Sequence, residues 1–270
     1  MAVWNNGQKC GVCLCFDFDA ESMWAAVKPT RPTLLSRGEY GARVGVPRIL
    51  SLLDKYHIRA TFFVPADTAR RHTELVKEIH DRGHEIGHHG DMHESPMSLG
   101  LDEEKRILDI GLETMEKVTG ERPNGYRSPA WELSPNSIQL FQEYGFLYDS
   151  SMMGDDFQLY LLEANGKETD VVEIPVSWEL DDAPHFLFNF GPGYLVGLSS
   201  PSKVYEIWAT EFDGAYANEG VFTLTMHPQV IGRYHRLLML ERLIRYIAGN
   251  PGVWFATCTE VATDWLKQQN

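Results

Sequence analysis

The chain has 270 residues, 43% of them hydrophobic, enough apolar material for one sizeable core. Lys and Arg total 24 against 38 for Asp and Glu, a formal net charge of −14. Such a field repels phosphate backbones and anionic lipid surfaces, so no nucleic acid and no membrane is expected as a partner, and a neutral or cationic small molecule is. The first residues show no basic stretch followed by an apolar one, and no apolar run approaches the length of a membrane span. Three of the four cysteines, Cys10, Cys13 and Cys15, sit too close together on one segment to bridge one another. The expectation is therefore a reduced, cytoplasmic protein, a single domain over residues 1–270, with a homo-oligomer as its assembly.

Taken in chain order, short β-branched and aromatic runs alternate with amphipathic patterns, the signature of βα units and a parallel sheet. The first strand is predicted over Gly11 to Asp19, followed by a helix over Val44–Tyr56 and a strand over Arg59–Val64. A helix over Thr73–Arg82 stops at Gly83, suited to the left-handed position after a helix end, and a strand follows over His84–His88. Leu101–Val118 reads as a strongly amphipathic helix, carrying Ile107, Ile110, Leu112 and Met115. Further pairs are helix Pro135–Tyr144 with strand Phe146–Tyr148, helix Lys203–Tyr216 with strand Val221–Met226, and helix Tyr234–Ile247 with strand Val253–Ala256. Val171–Val176 reads as a strand without a helix before it. About seven strands with helices between them predict an α/β fold, a closed or nearly closed (β/α) barrel. No strand is followed by a glycine-rich phosphate loop, which weighs against an open dinucleotide-binding sheet.

Strand side chains alternate faces, so Cys13, Cys15, Asp17 and Asp19 point one way, and Val12, Leu14, Phe16 and Phe18 the other. Large apolar residues belong against outer helices and small ones against the tapering interior. That places two carboxylates at the C-terminal mouth, where barrel active sites sit. In Gly83–His93 (GHEIGHHGDMH) four histidines crowd around a glycine-flanked turn. His89 and His93 stand four apart, so one helical turn would bring both imidazoles to one side, whereas strand geometry holds His84 and His88 over ~10 Å apart. Two histidines with Asp19 make a three-ligand site for one divalent ion, zinc first and cobalt, nickel or manganese as substitutes, with a coordination position left for water. Asp17, one step deeper, is then the general base. Arg127 stands near a strand end before Pro129 and can hold Asp17 ionised; His227 ends an apolar strand and can protonate a leaving nitrogen.

Together these segments resemble the polysaccharide deacetylase family, the NodB-homology fold, over about Gly11 to Thr259. The resemblance rests on FDFD (Phe16–Asp19), the His-rich segment, YRSPAW (Tyr126–Trp131) and LTMHP around His227, with Arg48–Leu50 through RATFFVP similar to the family's second βα unit. It implies a distorted barrel, a metal-dependent hydrolase of a non-peptide C–N bond, Asp17 as base, Asp19, His89 and His93 as ligands, Arg127 positioning the base and His227 as general acid. The pattern departs in Phe18, which separates the two aspartates, and in Gly90, where Ser or Thr is usual. It is closer to the branch of intracellular peptidoglycan-deacetylase-like proteins, cyclic imide hydrolases and allantoinases. Asp181 and Asp182 fall in the region that tunes the general acid, and the sequence does not choose between them; both are also candidate substrate contacts. A backbone N–H near Ser128–Trp131 is the expected oxyanion donor. Trp24 and Trp131, each just past a catalytic segment, are expected to close over the mouth and shrink it to a small dry pocket, the alternative being packing against outer helices. That favours a small cyclic imide or ureide over an N-acetyl sugar. A non-catalytic sugar-binding barrel is disfavoured because Asp17 and His227 are both present.

Overall fold

In the first strand, β1 (Cys10–Asp17), every residue is buried, which requires cover on both faces. In the computed structural model, which describes residues 4, 7–25, 31–188 and 197–269, that cover is divided by parity. Cys10, Val12, Leu14 and Phe16, with Phe18 beyond, join the cluster under the outer helices, while Cys13 and Cys15 join Phe63, Tyr148, Val172 and Ile174 inside the curled sheet. The two-residue period of an extended chain is the whole cause. All four cysteines are buried free thiols.

The remaining strands are β2 (Thr61–Val64), β3 (Glu85–His88), β4 (Gly125–Tyr126), β5 (Tyr148–Asp149), β6 (Tyr160–Ala164), β7 (Lys167–Glu173), β8 (Val221–Met226) and β9 (Val253–Phe255). They form one sheet in the order β6-β7-β5-β4-β3-β2-β1-β8, with β9 also paired to β1. Every pairing is parallel except β6–β7. The sheet curls until its far side meets β8: Asp181 bridges Thr225, and the Val221 N–H donates to the Phe157 carbonyl at 2.9 Å. The result is the expected distorted α/β barrel. The C-terminal helix Cys258–Gln269 lies across its N-terminal end, where the Cys258 N–H reaches Thr61 Oγ1 and Thr259 reaches Glu85. Among the described residues no helix is long and apolar enough to cross a membrane.

The differences from expectation are local. The strand expected over Val171–Val176 is the end of β7, entered through an antiparallel hairpin from β6 rather than from a helix. Its turn, Asn165–Gly166, has both residues in the left-handed region, as a two-residue hairpin requires. The helix ending in Tyr56 begins much earlier, as Pro32–Tyr40, a π-helical turn Gly41–Gly45 and Val46–Tyr56 in succession. A Cβ on Gly45 would lie 2.3 Å from the Pro228 carbonyl oxygen, and one on Gly41 3.1 Å from the Gln229 amide nitrogen. The two glycines thus let this helix press its backbone against the segment that follows His227.

That contact is testable. Gly45→Ala forces backbone apart from backbone, and overpacking of this kind costs about 1–3 kcal/mol. The expected result is a lower denaturant midpoint at unchanged m value; an unaltered midpoint would show that the contact yields freely.

Candidate active site

Asp17 ends β1, and the Phe18 N–H continues the ladder to the Phe63 carbonyl, so Asp19 emerges on the same face two residues on. The Asp19 backbone is pinned by Ser22 Oγ and Thr68 Oγ1, both donating to its carbonyl. Its carboxylate is fully buried. Oδ2 accepts from Gln229 Nε2 at 3.2 Å, while Oδ1 has no hydrogen-bond partner among the described residues and lies 3.4 Å from His89 Nε2 and 3.7 Å from His93 Nε2. Burial opposes its charge, but the imidazoles of His93, His89 and His227 hold its carboxyl well below the usual range.

The segment bearing His89 and His93 is a set of bends rather than the expected helical turn. Glu94 folds back to accept the N–H groups of Asp91 and Met92, and Gly90 and His93 take positive φ of 73° and 62°. Two left-handed residues reverse the chain in less length than a helical turn, and bring both rings to Asp19. His89 Nδ1 donates to the Arg127 carbonyl at 2.7 Å, which leaves Nε2 with its lone pair toward Asp19. His88 does not face the mouth: it donates through Nε2 to the Leu108 carbonyl and accepts from the Gly90 N–H, its pKa pushed down to about 4 by burial. His84 lies at the opposite end of β3, accepting the Ala60 N–H.

An orphaned buried carboxylate oxygen facing two imidazole nitrogens, with all three ligand atoms within 4.8 Å of one another, fits a divalent cation. Asp181, Asp182 and His227 form a second group of that compactness. There, however, the donors and acceptors already satisfy one another. His227 Nδ1 donates to Asp182 Oδ1 at 2.7 Å, the His227 N–H to Asp182 Oδ2 at 3.0 Å, and the Ala183 N–H to Asp181 Oδ1 at 2.6 Å. Asp182 is thus the acid in direct contact with His227, whose Nδ1 is 3.6 Å from Asp181. Burial disfavours the imidazolium, yet the two carboxylates outweigh it and raise the His227 pKa well above the ordinary value.

Arg127 is fully buried beneath the mouth. Nη1 donates to Asp17 Oδ1 at 3.0 Å, Nε and Nη2 to the Ser150 carbonyl and hydroxyl, and the guanidinium lies 4.2 Å over the Phe63 ring. Asp17 Oδ2 remains toward His89, at 4.0 Å.

Asp17, His89, His93 and His227 line a cavity of about 430 Å³ with Met23, Ala130, Trp131, Trp178, Asp181, Ala183, Pro184 and Leu187. Trp131 forms a wall and packs on Trp178, ring centroids 4.4 Å apart. Two placements differ from the sequence reading. Trp24 does not line the cavity: in the short helix Ser22–Ala25 adjacent residues point about 100° apart, so Met23 faces the mouth and the Trp24 indole is buried, with the Arg37 guanidinium 5.8 Å from it. Asp182 lies behind His227 and is not a wall residue, whereas Asp181 is. Trp178, Met23, Gln229 and Ser150 escaped sequence reading; for Trp178 the one available signal was an indole just ahead of the paired acids.

Metal binding separates the two carboxylates. Titration with Zn²⁺ should give one site in the native protein and in Asp17→Asn, and a loss of affinity of at least about tenfold in His89→Ala. Unchanged binding by His89→Ala would remove that residue from the ligand set.

The family model for polysaccharide deacetylases matches residues 26–148. A peptidoglycan deacetylase of Helicobacter pylori is 36% identical over 93% of this chain and 94% of its own length. A crystal structure of a Mycobacterium smegmatis protein assigned to the polysaccharide deacetylases superposes with a TM-score of 0.92, at 38% identity, covering 99% of this chain and 94% of that one. The PuuE allantoinase shares the fold, with a TM-score of 0.83 at 24% identity over 99% of this chain and 97% of that one. With a relative this similar over nearly its entire length, the chain belongs to the polysaccharide deacetylase family, hydrolases of amide C–N bonds that depend on a divalent metal.

Proposed function

We propose that this hydrolase opens a small cyclic imide or ureide, with Asp17 as general base, His227 as general acid and a zinc ion on Asp19, His89 and His93. The observation that carries the substrate reading is the wall chemistry. Apart from the metal-site and acid–base groups and the Asp181 carboxylate, the described lining is Met23, Ala130, Trp131, Trp178, Ala183, Pro184 and Leu187. A hydroxyl-rich sugar buried there would leave its polar groups without partners, at a cost of ~1–3 kcal/mol each. A flat ring with one or two carbonyls meets indole and aliphatic surface instead.

The ion, when bound, supplies a Lewis acid that polarises the carbonyl and makes water acidic enough to attack near neutral pH. Asp17 Oδ2 takes the proton of the attacking water, because Arg127 engages Oδ1 and fixes the syn or anti edge that is presented. The turn after Arg127 supplies an oxyanion donor. The Ser128 N–H goes to Ser151 Oγ, the Trp131 N–H goes to the Ser128 carbonyl and Pro129 has none, which leaves the Ala130 amide, on a cavity-lining residue at φ 55°. As the C–N bond breaks, His227 Nε2 gives its proton to the nitrogen, and the raised pKa keeps that proton available.

A second reading, removal of an acetyl group from an N-acetyl sugar, is favoured by Trp178, 44% exposed at the rim and a suitable stacking platform for a sugar face, and by the likeness to the H. pylori enzyme. The two are separated by one assay under the same metal: succinimide- or hydantoin-type rings against N-acetylglucosamine oligomers. Ring opening without acetate release is expected, and the converse would restore the sugar reading. Arg127→Lys keeps charge but loses the fork that spans Asp17 and Ser150, so kcat should fall by ~10² or more; a fully active variant would refute the orienting role. Asp182→Asn tests the acid. His227 must be protonated to act, and Asp182 raises its pKa, so the alkaline limb of kcat/KM should move to lower pH. An unmoved limb would show that Asp182 does not tune it.

A further inference from the structure

β5 and β7 pair so that Asp149 stands directly opposite Glu173, and both side chains are fully buried. Each spends one oxygen on the same loop. Glu173 Oε1 accepts the N–H groups of Ser151 and Met152 at 3.0 and 2.9 Å, and Asp149 Oδ1 accepts the Ser151 hydroxyl at 2.8 Å. The other two oxygens, Asp149 Oδ2 and Glu173 Oε2, are buried with no donor offered to either among the described residues, and the side chains are within hydrogen-bonding reach of each other. Two fully buried carboxylates in that arrangement cannot both be ionised, since bulk solvent does not reach them and, among the described residues, no cationic side chain bonds to either.

The loop they hold is the support of the site. Ser151 Oγ accepts the Ser128 N–H at 2.8 Å, at the start of the turn to Trp131. Ser150 accepts two donors of Arg127, through its carbonyl at 3.0 Å and its hydroxyl at 2.8 Å, and donates to the Ile174 carbonyl at 2.9 Å. Asp149 and Glu173 touch neither cavity nor ligand, yet flank both serines.

We propose that Asp149 and Glu173 share one proton in the native protein, and that this carboxylic acid–carboxylate pair positions Ser150 and Ser151, and through them Arg127 and the Ser128–Trp131 turn. The positioning half rests on the reading of Arg127 as the residue that orients the base. Glu173 is the protonated partner: burial first, then the Asp149 charge, raise its pKa far above the ordinary value, while Asp149 is pushed up to about 6 by burial against the pull of its hydrogen bonds and Arg127. The other ionisable groups facing the pair are Arg127 and Tyr126 around β4 and Tyr160 of β6, and the two tyrosines stay neutral because burial raises their pKa values. A proton bound on folding stabilises least where it must be taken from a dilute supply, so this contribution shrinks as pH rises above the ordinary Glu value.

An amide can replace the shared proton with an N–H, once. Glu173→Gln keeps its oxygen for Ser151 and Met152 and donates to Asp149; Asp149→Asn keeps its oxygen for Ser151 and donates to Glu173. Asp149→Asn/Glu173→Gln puts two NH₂ groups face to face. Both single variants should therefore match the native protein in kcat near neutral pH and melt no lower than it, and the thermal advantage of Glu173→Gln over native should grow as pH rises. The double variant should lose kcat by roughly tenfold to a hundredfold at unchanged KM and unchanged metal content. Infrared difference spectra should show a protonated carboxyl band in the native protein that either single variant lacks. Single variants as damaged as the double would overturn the shared proton, as would a missing carboxyl band. A double variant with native kcat, measured where Arg127→Lys is inactive, would overturn the positioning role alone; a fully active Arg127→Lys would instead overturn the reading of Arg127.

Discussion

Two carboxylates that leave β1 into a water-poor barrel mouth set the terms for the rest of the structure. A buried ionised group left alone costs several kcal/mol, far more than the fold could tolerate twice over. Asp17 is matched by the guanidinium of Arg127, itself fully buried and therefore dependent on Ser150 and the Phe63 face for its remaining bonds. Asp19 has no such cation among the described residues. Three imidazoles and one amide surround it, and one of its oxygens is satisfied by none of them. The chain's own groups thus leave the charge balance incomplete at one atom, which a divalent ion would complete. The two aspartates are close and yet chemically distinct: Asp17 has its counter-charge built in, and Asp19 does not.

How much of this was legible in the sequence follows from how local each cause is. The inward set Cys13, Cys15, Asp17 follows from a period of two along one strand, and no tertiary information is needed to see it. His89 and His93 were legible as a pair, but not in the conformation that unites them, because the sequence spacing is compatible with a helical turn while the actual chain uses Gly90 and a left-handed His93. β4, at two residues, carries no periodicity to detect, while β5 was expected slightly early, over Phe146–Tyr148 rather than Tyr148–Asp149. They exist because neighbouring strands offer them partners. The same holds for Trp178. Its role depends on the barrel's far edge curling round to β8, a contact set by strand order and twist rather than by any pattern near residue 178. Trp24 and Met23 exchanged roles for a simpler reason, since one residue of register in a helix rotates a side chain by about 100°.

Close backbone approaches fix what the charges need. A Cβ on Gly111 would fall 1.9 Å from His88 Nε2, and one on Gly125 at the same distance from the Tyr148 ring. His88 can therefore sit against its helix and hold the Gly90 amide, while Tyr148 fills the barrel beneath Arg127 and reaches Glu85 through its hydroxyl. Gly41 and Gly45 do the equivalent work behind Gln229 and Pro228. Small residues at these points shorten the distances between rigid elements, so catalytic geometry is set by backbone contact and not by long flexible side chains. Preorganisation of this kind is what metal-assisted hydrolysis needs, because charge develops at the carbonyl oxygen and at the leaving nitrogen only if donors already stand there.

The chemistry and the walls are built from different material, and that difference has a consequence for specificity. Asp17, Asp19, His89, Arg127 and His227 issue from strand ends, or from turns locked to them by several hydrogen bonds. Met23, Ala130, Trp131, Trp178, Ala183, Pro184 and Leu187 come from one-turn helices and the irregular segments between β7 and β8. Substitution on the second set changes which molecule fits without disturbing an ion pair or a ligand atom, since those groups are satisfied from behind the mouth. A scaffold divided in this way can keep one hydrolytic mechanism while its pocket passes from open groove to small apolar chamber. In this chain the packed Trp131 and Trp178 indoles form the apolar part of that wall, and water excluded from beneath such a surface is what makes buried charges count for more.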